Sequence, residues 1–570
     1  MIWDCIVVGG GSAGCVLASR LSEDPKRNVL LLEAGPDYPP GREPSDVRDT
    51  YYLTFFRPDN FWPHLRAHFA PVPHNDPESA VPRRYEQARI MGGGSSINAM
   101  IALRGMPGDF EEWVAAGAAG WGWDEVLPHY RRLETDLDFD GPLHGADGPI
   151  PVRRHRREQW PGFCRAVVEA VEDLHGYRFV ADMNGAVENG FCAVPISSLP
   201  EQRVSTAMGY LTEEVRRRAN LRILANAHVV EILFDGDPAS GIRATGVRIR
   251  RGDAAEDHAG AEIVLSAGTL QTPAMLLRAG IGPAADLQKL GIEVRADLPG
   301  VGANLQDHPA VSMAAYLQPA GRQPKSLRAA PNVALRFSSK IEGCPDSDMY
   351  VSVTNKSSWH PLGQRLAGLV SCIYKPMSRG RVTLETTDPT VSPRIEFNLL
   401  ADERDSRRMA AALRMSYAIY RHPALARVVH EFFPASYSER VRDLNRYGAA
   451  NWLRSWAANL LLTGPSPLRR KLIREVIAPG DDAKELIADD AALTEWVKAR
   501  AVPFYHPVGT CRMGAADDAG AVVDAAGHVR GVGGLHVIDA SIMPTIPRAN
   551  TNLTVIMMAE KLAAEADAFT

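Results

Sequence analysis

A glycine-rich loop joins the first strand of this sequence to its first helix and constrains how the chain can begin to fold. Residues 6–8 are apolar and β-branched, which predicts a buried strand. Gly9, Gly11 and Gly14 follow in the order G-x-G-x-x-G, ahead of a run with helical spacing. The first glycine permits a tight turn, the second lets the backbone approach a diphosphate, and the third lets helix pack on strand. The pattern therefore predicts an α/β unit with a phosphate group at its helix N-terminus.

The next predicted strand ends in an acidic residue where a dinucleotide site needs one. Residues 28–32 read NVLLL, and Glu33 stands 19 residues after Gly14. A carboxylate at this spacing meets the ribose hydroxyls of an adenosine and repels a 2′-phosphate. The alternative is a glycine-rich turn without a ligand. The order of strand, loop, helix, strand and acidic residue argues against that alternative. The loop alone does not distinguish NAD from FAD.

Composition excludes several other classes of protein. The 570 residues exceed what one core holds, and a net charge of −5 without a long basic run argues against nucleic acid. No apolar stretch reaches about 18 residues, and the first strand leaves no room for a signal peptide, so we expect a cytoplasmic protein without a transmembrane helix. The seven cysteines are dispersed, which is typical of reduced thiols. No cluster has metal-ligand spacing, so we expect no metal.

A second cluster of small residues occupies positions 92–95, which read GGGS. Glycine there lets the backbone lie flat against a planar ligand, and the amide of Asn98 can then donate a hydrogen bond. Taken alone, this cluster is equally consistent with a structural turn.

Together with five further segments, the two glycine clusters resemble the glucose–methanol–choline (GMC) oxidoreductase family. The segments are GWGWDEVLPHYRRLE at 120–134, SAGTLQTPAMLLRAGIGP at 266–283, LPGVGANLQDHP at 298–309, YHPVGTCRMG at 505–514 and HVIDASIMPTIPRANTNLTVIMMAEKLA at 536–563. Within this family, the segments most resemble those of the bacterial hydroxymethylfurfural-oxidase-like and choline-dehydrogenase-like members. Ala279 departs from the serine common in the second signature.

The resemblance implies FAD as the cofactor and an α/β chain of two domains. A Rossmann-like FAD-binding domain with a parallel sheet and a β-meander would comprise residues 1–155, 222–310 and 498–570. A substrate-binding domain with an antiparallel sheet backed by helices would comprise residues 156–221 and 311–497. The strand-rich stretch 221–268 predicts the meander and then a strand that returns to the parallel sheet.

By position, the resemblance also assigns residues to the cofactor. Those expected to contact it are Gly9, Gly11, Ser12, Ala13, Gly14, Glu33 and Ala34 at the diphosphate and ribose, Val229 at the adenine, and Gly92, Asn98, Ala99, Met100, Ile101, Ala540 and Thr551 around the flavin. Some relatives attach the flavin through a histidine at the position of Ile97. An aliphatic side chain cannot form that bond, so we expect non-covalent FAD.

The expected chemistry needs a base, because the hydroxyl proton of an alcohol must leave when its carbon gives a hydride to flavin N5. His506, in FYHPVGT, matches the family's catalytic histidine, and Asn550, 44 residues later, matches its partner. We expect His506 to be the general base and Asn550 to donate a hydrogen bond to the substrate oxygen. We expect His308 to be structural, and His228 to point outward from a strand into solvent.

Two segments are expected to form walls of the substrate pocket, with ordinary core packing as the alternative. Alternation along LVSCIYKP places Val370, Cys372 and Tyr374 on one face, and Tyr505 precedes the base. Such walls suit a furan or aryl methanol, whereas choline requires a cage that the sequence does not reveal. We therefore expect oxidation of a primary alcohol to the aldehyde, with oxygen or a quinone as the electron acceptor.

Other functions remain open at this point. One is hydroxynitrile cleavage, although such relatives usually carry histidine where this chain has Asn550. Another is a choline-type dehydrogenase that passes electrons to a membrane acceptor. A light-driven decarboxylase and a non-catalytic flavin-binding module are the remaining alternatives.

Residues 451–477 look like an additional segment before the catalytic loop. Trp452, Leu453, Trp456 and Leu460 share one helical face, and basic residues follow. This pattern can mark a helix that associates weakly with a membrane. The favoured interpretation is a helical hairpin packed on the substrate domain or on a dimer partner, in a monomer or homodimer.

Overall fold

The computed structural model describes residues 2–237, 241–478 and 482–565. Within these ranges two large sheets organise the chain, one mixed and one antiparallel. The strands of the first sheet, in spatial order, are Val532–Gly533, Gly241–Arg251, Ala254–Leu265, Ile2–Val8, Val29–Leu32 and Leu221–Leu224, with Leu535–Val537 paired to Ala254–Leu265 and His228–Asp237 paired to Gly241–Arg251.

Strand Ile2–Val8 lies inside the first sheet because its residues are apolar on both faces. Its last four residues are buried, and the parallel strands Val29–Leu32 and Ala254–Leu265 flank it. Helix Ser12–Leu21 follows the glycine loop and packs on this sheet. The predicted opening of strand, loop, helix and strand is confirmed.

Strand Ala254–Leu265 takes part in both antiparallel and parallel pairing. Its first half pairs antiparallel with Gly241–Arg251, and its second half pairs parallel with Ile2–Val8 and Leu535–Val537. Strand His228–Asp237 completes the antiparallel part. This arrangement is the predicted meander followed by a return into the parallel sheet.

The second sheet is antiparallel at every pairing between described strands. Its strands, in spatial order, are Val429–Ala435, Pro309–Leu317, Leu366–Ile373, Met349–Thr354, Pro331–Phe337 and Gly190–Ala193, with Val502–Pro503 paired to Pro309–Leu317. Helix Glu403–Arg421 covers one face of this sheet and buries Met313 and Leu369 there. The two predicted sheet types are therefore confirmed, while the division into domains by residue number stays a prediction.

The remaining elements surround the two sheets. The helices are Ser45–Arg48, Pro107–Ala115, Trp123–Leu133, Gly162–His175, Thr206–Tyr210, Glu213–Arg216, Gln271–Arg278, Ala284–Lys289, Pro423–Ala426, Glu439–Asn445, Ala449–Leu462, Ser466–Leu472, Ala483–Ala488, Asp490–Arg500 and Thr551–Ala564. Short paired strands are Arg66–Ala67 with Arg83–Arg84, Glu134–Asp136 with Ile150–Val152, Ile281–Gly282 with Ala296–Asp297, and Arg381–Thr383 with Arg394–Glu396.

Helices Ala449–Leu462 and Ser466–Leu472 form a hairpin on the antiparallel sheet. The first helix turns Ser455 and Asn459 inward, and the Tyr316 hydroxyl donates to Asn459 Oδ1 at 3.3 Å. Its aromatic face is the exposed one, with Trp452 47% and Trp456 46% exposed. The hairpin thus packs on the sheet through the side that carries Ser455, Asn459 and Leu462, away from the two tryptophans. No helix in the described ranges is long and apolar enough to cross a membrane.

Candidate active site

One cavity of about 1390 Å³ is lined by residues from both sheets. This volume exceeds the roughly 300–1,000 Å³ of a pocket for one small ligand. The glycine loop and Glu33 lie at one end, and His506 and Asn550 lie on the same continuous wall. A cofactor and a substrate can therefore share this space.

The glycines of the first loop are required by close backbone contacts. Gly9 has φ +103°, and a Cβ on it would lie 2.5 Å from the Ser266 carbonyl oxygen. A Cβ on Gly14 would lie 1.9 Å from the Gly9 carbonyl oxygen, so Gly14 allows the helix to approach the loop. Gly11 instead lies on the cavity wall, where an added Cβ would meet only the Ser266 carbonyl oxygen, at 3.8 Å.

Helix Ser12–Leu21 begins at this wall with its polar backbone groups free for a ligand. Its N-terminus has no side-chain cap and no acidic residue in the first turn. Ser12 and Ala13 line the cavity beside Gly11. Unpaired N–H groups at a helix N-terminus bind anions, so the residues present fit the diphosphate of a dinucleotide.

Glu33 is fixed at the end of its strand by backbone donors. Its Oε2 accepts from Gly10 N–H at 2.9 Å and its Oε1 from Gly35 N–H at 2.7 Å. Burial raises the pKa of Glu33, and these two N–H groups oppose that rise. Ala34 and Val229 also line the cavity here, at the positions expected for ribose and adenine.

Most residues expected at the flavin line the cavity, and two do not. Those on the wall are Asn98, Ala99, Ile101, Ala540 and Thr551, together with Ile97. Gly92 lies off the wall, where its N–H donates to the Gly10 carbonyl at 2.7 Å, and Gly93 and Gly94 line the cavity instead. Met100 also lies off the wall, with φ +62° and its side chain in a buried cluster. The flavin contacts of both residues stay predictions.

A chain of hydrogen bonds holds His506 at the catalytic end. Its Nδ1 lies 2.9 Å from His308 Nδ1, and its Nε2 lies 3.1 Å from Asn550 Nδ2. His308 Nε2 lies 3.1 Å from the Pro547 carbonyl oxygen, and the Tyr374 hydroxyl donates to Asn550 Oδ1 at 3.0 Å. His506 and Asn550 line the cavity, and the other three residues hold them from behind.

This chain fixes which nitrogen of His506 carries the proton. A carbonyl oxygen only accepts, so His308 Nε2 donates to Pro547 and His308 Nδ1 is left as an acceptor. His506 Nδ1 must then donate to His308, which leaves His506 Nε2 without a proton. The amide of Asn550 donates to that bare nitrogen because its oxygen is engaged by Tyr374.

Burial keeps both histidines neutral. It lowers the pKa of His506 to about 3 and that of His308 well below its ordinary value, the latter also through the neighbouring His506. The backbone N–H of His506 donates to Asp307 Oδ1 at 3.0 Å, which anchors the loop that carries the base. Both imidazoles are therefore neutral, and the unprotonated atom of His506 is the Nε2 that accepts from Asn550 on the cavity wall.

Of the four residues predicted to form walls of the substrate pocket, two line the cavity and two do not. Val370 and Tyr505 line the cavity. Cys372 does not, because it is fully buried between Ala310 and Tyr350 on the neighbouring strands. Tyr374 is also off the wall, stacked with its ring centroid 4.4 Å from that of Tyr350.

The structure shows features of His308 and His228 that the sequence did not predict. His308 is buried and structural, as expected, but its task of orienting the base was not visible from its local segment. The expectation that His228 is solvated is wrong. Trp62 covers it edge-on with centroids 5.3 Å apart, and burial lowers its pKa to about 4. No local pattern linked position 62 to position 228.

Outside the cavity, Glu134, Asp136 and His144 bring their ligand atoms within 4.8 Å of one another. Burial lowers the pKa of His144, but hydrogen bonds to Asp136, Asp182 and Glu134 outweigh it and raise the pKa to about 11. A protonated imidazole does not ligate a metal. Arg154 also bonds Asp136 and Asp182, so the cluster is an ion-paired network, and the absence of a metal stays a prediction.

The fold and the cavity define a flavin-dependent oxidoreductase. Two family models, both described as GMC oxidoreductase, match residues 3–310 and 376–559. The chain belongs to the GMC oxidoreductase family and is an FAD-dependent alcohol oxidoreductase.

Individual relatives agree over the whole length. The 5-(hydroxymethyl)furfural oxidase of Methylovorus sp. (strain MP688) is 39% identical, over 99% of this chain and 98% of that protein. Oxygen-dependent choline dehydrogenase 1 of Chromohalobacter salexigens is 32% identical, over 98% of this chain and 94% of that protein. The crystal structure of pyridoxine 4-oxidase from Mesorbium loti is 26% identical and superposes with a TM-score of 0.79, over 99% of both chains. A fungal aryl-alcohol oxidase, 22% identical with a TM-score of 0.72 over 99% of this chain and 98% of that chain, shares the fold.

Proposed function

We propose that this protein oxidises a primary alcohol of the furan or aryl methanol type to the aldehyde, with His506 as the base. The observation that carries the proposal is the bare Nε2 of His506, held beside Asn550 on the wall of a cavity that also contains a dinucleotide site. Hydroxyl protons of alcohols leave readily only to a positioned base.

The chain's own residues are suited to hold FAD without a covalent bond. The N-terminus of helix Ser12–Leu21 would bind the diphosphate, and Glu33 the ribose. Ile97 lines the flavin end and offers no nucleophile. Bound there, FAD supplies the acceptor for the hydride that leaves the alcohol carbon.

The proton is handled by the hydrogen-bonded pair. His506 Nε2 takes the hydroxyl proton, and the ring becomes a cation whose Nδ1–H still donates to His308. Asn550 donates its amide N–H to the substrate oxygen, and Tyr374 holds that amide in place. Negative charge developing on the oxygen is thereby stabilised at a fixed position.

The walls near the base favour a neutral, planar substrate. Phe504 meets His506 edge-on with centroids 5.2 Å apart, and Val370 and Tyr505 lie on the same wall. The carboxylate of Glu86, also on the wall, is engaged by Tyr505 at 2.6 Å and by Arg442. It is thus not free to balance a quaternary ammonium, which disfavours choline. The 39% identical relative named for 5-(hydroxymethyl)furfural supports the same class.

An anaerobic assay tests this proposal. Mixing the FAD-loaded protein with benzyl or furfuryl alcohol should bleach the yellow flavin band, and the same alcohols should then turn over with oxygen or with an artificial quinone as acceptor. A flavin that stays yellow with these alcohols while cyanide is released from a cyanohydrin would replace the proposal with a lyase.

A further inference from the structure

The cavity does not end at the catalytic pair. It continues along the antiparallel sheet, on the face opposite helix Glu403–Arg421, and reaches the hairpin of Ala449–Leu462 and Ser466–Leu472. We call this extension the tail channel and define it by the wall residues Ser312, Ala314, Gly368, Phe433, Leu462 and Leu472.

Small side chains form the floor of the tail channel. Ala314 pairs with Gly368 on the neighbouring strand, and Ser312 lies one row closer to the base. At about 3.3 Å per residue, Ala314 lies about 20 Å along the strand from His308. A Cβ on Gly368 would meet only the Met313 carbonyl oxygen, at 3.7 Å. Ala314 and Gly368 leave space above them because they are small, and Phe433, which pairs with Ala314 in the same row, bounds that space on one side.

Apolar side chains of the hairpin and of strand Val429–Ala435 enclose the far end of the tail channel. Leu462 and Phe433 belong to the cluster that fixes the hairpin on the sheet, and Leu472 packs against that cluster. Arg454 and Leu461 lie on the cavity wall and are also exposed, Leu461 by 53%. The tail channel thus opens to solvent beside the apolar outer face of the hairpin.

We propose that the tail channel binds the unbranched apolar tail of an alcohol whose hydroxyl group lies at His506 and Asn550. The inference rests on the proposed function and extends its substrates from aryl methanols to long-chain primary alcohols. Apolar side chains beside a floor of small residues fit methylene groups, and the charged Arg454 lies where the tail channel opens to solvent. Continuity with the catalytic pair assigns the space to the substrate.

The test compares straight-chain primary alcohols from butanol to dodecanol with benzyl alcohol, as kcat/KM for anaerobic flavin bleaching. In the unaltered protein we expect kcat/KM to rise about three- to fourfold per added methylene until the channel is filled. Gly368→Phe should abolish this rise and leave benzyl alcohol within about twofold. The matched control is Gly533→Phe, at an exposed strand glycine in the other sheet, where nothing lies closer than 3.5 Å to an added Cβ.

The outcomes separate this inference from the proposed function. If benzyl alcohol bleaches the flavin but kcat/KM is flat across the straight-chain series, the tail channel is disproved and the function stands. If the series rises equally in Gly368→Phe, the channel is also disproved. If no alcohol of any length bleaches the flavin, the proposed function itself fails. If Gly368→Phe does not retain FAD, the same series is measured with Ala314→Leu, which fills the same row.

Discussion

The two ends of the cavity are built from different parts of the polypeptide. At the nucleotide end the contacts come from the backbone, through Gly9, Gly14 and the free N–H groups of a helix, and even Glu33 is held by N–H donors. At the catalytic end, side chains from distant segments form a hydrogen-bonded chain. Adding a Cβ should therefore impair cofactor binding at the nucleotide end, and removing a functional group should impair activity at the catalytic end.

The largest effect should come from adding atoms at the nucleotide end. Gly14→Val places carbon where 1.9 Å separates an added Cβ from the Gly9 carbonyl oxygen. We expect loss of bound FAD and of all activity, with overpacking alone costing about 1–3 kcal/mol of unfolding free energy. Flavin absorbance per protein and thermal unfolding measure both. Gly448→Ala is the control, since nothing lies within 4 Å of its Cβ, and a Gly14→Val protein with full FAD would refute the backbone account.

Removing the base should be next in size. His506→Ala is expected to retain FAD and lower kcat/KM for benzyl alcohol by about 10²–10⁴-fold, the usual contribution of a general base. Stopped-flow bleaching of the flavin measures the loss. His228→Ala, which alters a histidine at the nucleotide end, should leave the bleaching rate unchanged at saturating FAD. Near-normal bleaching by the His506 variant contradicts the mechanism.

Asn550→Ala should have a smaller effect than loss of the base. One hydrogen bond to a developing charge is worth about 1.5–3 kcal/mol, so kcat/KM should fall about 10- to 100-fold. Tyr374→Phe removes only the hydrogen bond that holds the Asn550 amide in place, so it should lower kcat/KM less than Asn550→Ala does. If Tyr374→Phe is the more harmful of the two, then the tyrosine has a role beyond positioning.

The smallest expected effect is that of pH on flavin bleaching. Burial lowers the pKa of His506 to about 3, so the basic form persists as the pH falls through the ordinary histidine value. The bleaching rate should stay level from about pH 8 to pH 5 and decline only in stronger acid. A decline centred near the ordinary pKa of histidine would show that the base is solvated and would contradict this account.

The same contrast explains what the sequence could and could not predict. Gly9, Gly14 and Glu33 lie within one strand–loop–helix–strand unit, so their spacing sufficed. His506 and Asn550 required the family resemblance, because their partners His308 and Tyr374 are far away in the chain.

Some expected residues lie off the cavity wall where packing overrides local patterns. Cys372 follows the alternation of its strand, but residues of the neighbouring strands cover it. Met100 lies in a run that lines the cavity, and its side chain is packed in a buried cluster. Whether such a side chain reaches the cavity depends on residues far away in the sequence, which a local pattern does not include.

The hydrogen-bonded chain begins and ends in a single loop, because the carbonyl of Pro547 and the amide of Asn550 are three positions apart. Both are carried by a segment that Arg548 ties to Asp109 in helix Pro107–Ala115. A displacement of this loop would carry the proton-directing carbonyl and the substrate-facing amide in the same direction. The carbonyl that orients His308 and the amide that faces the substrate would then keep their spacing, whereas His506 is anchored separately through Asp307.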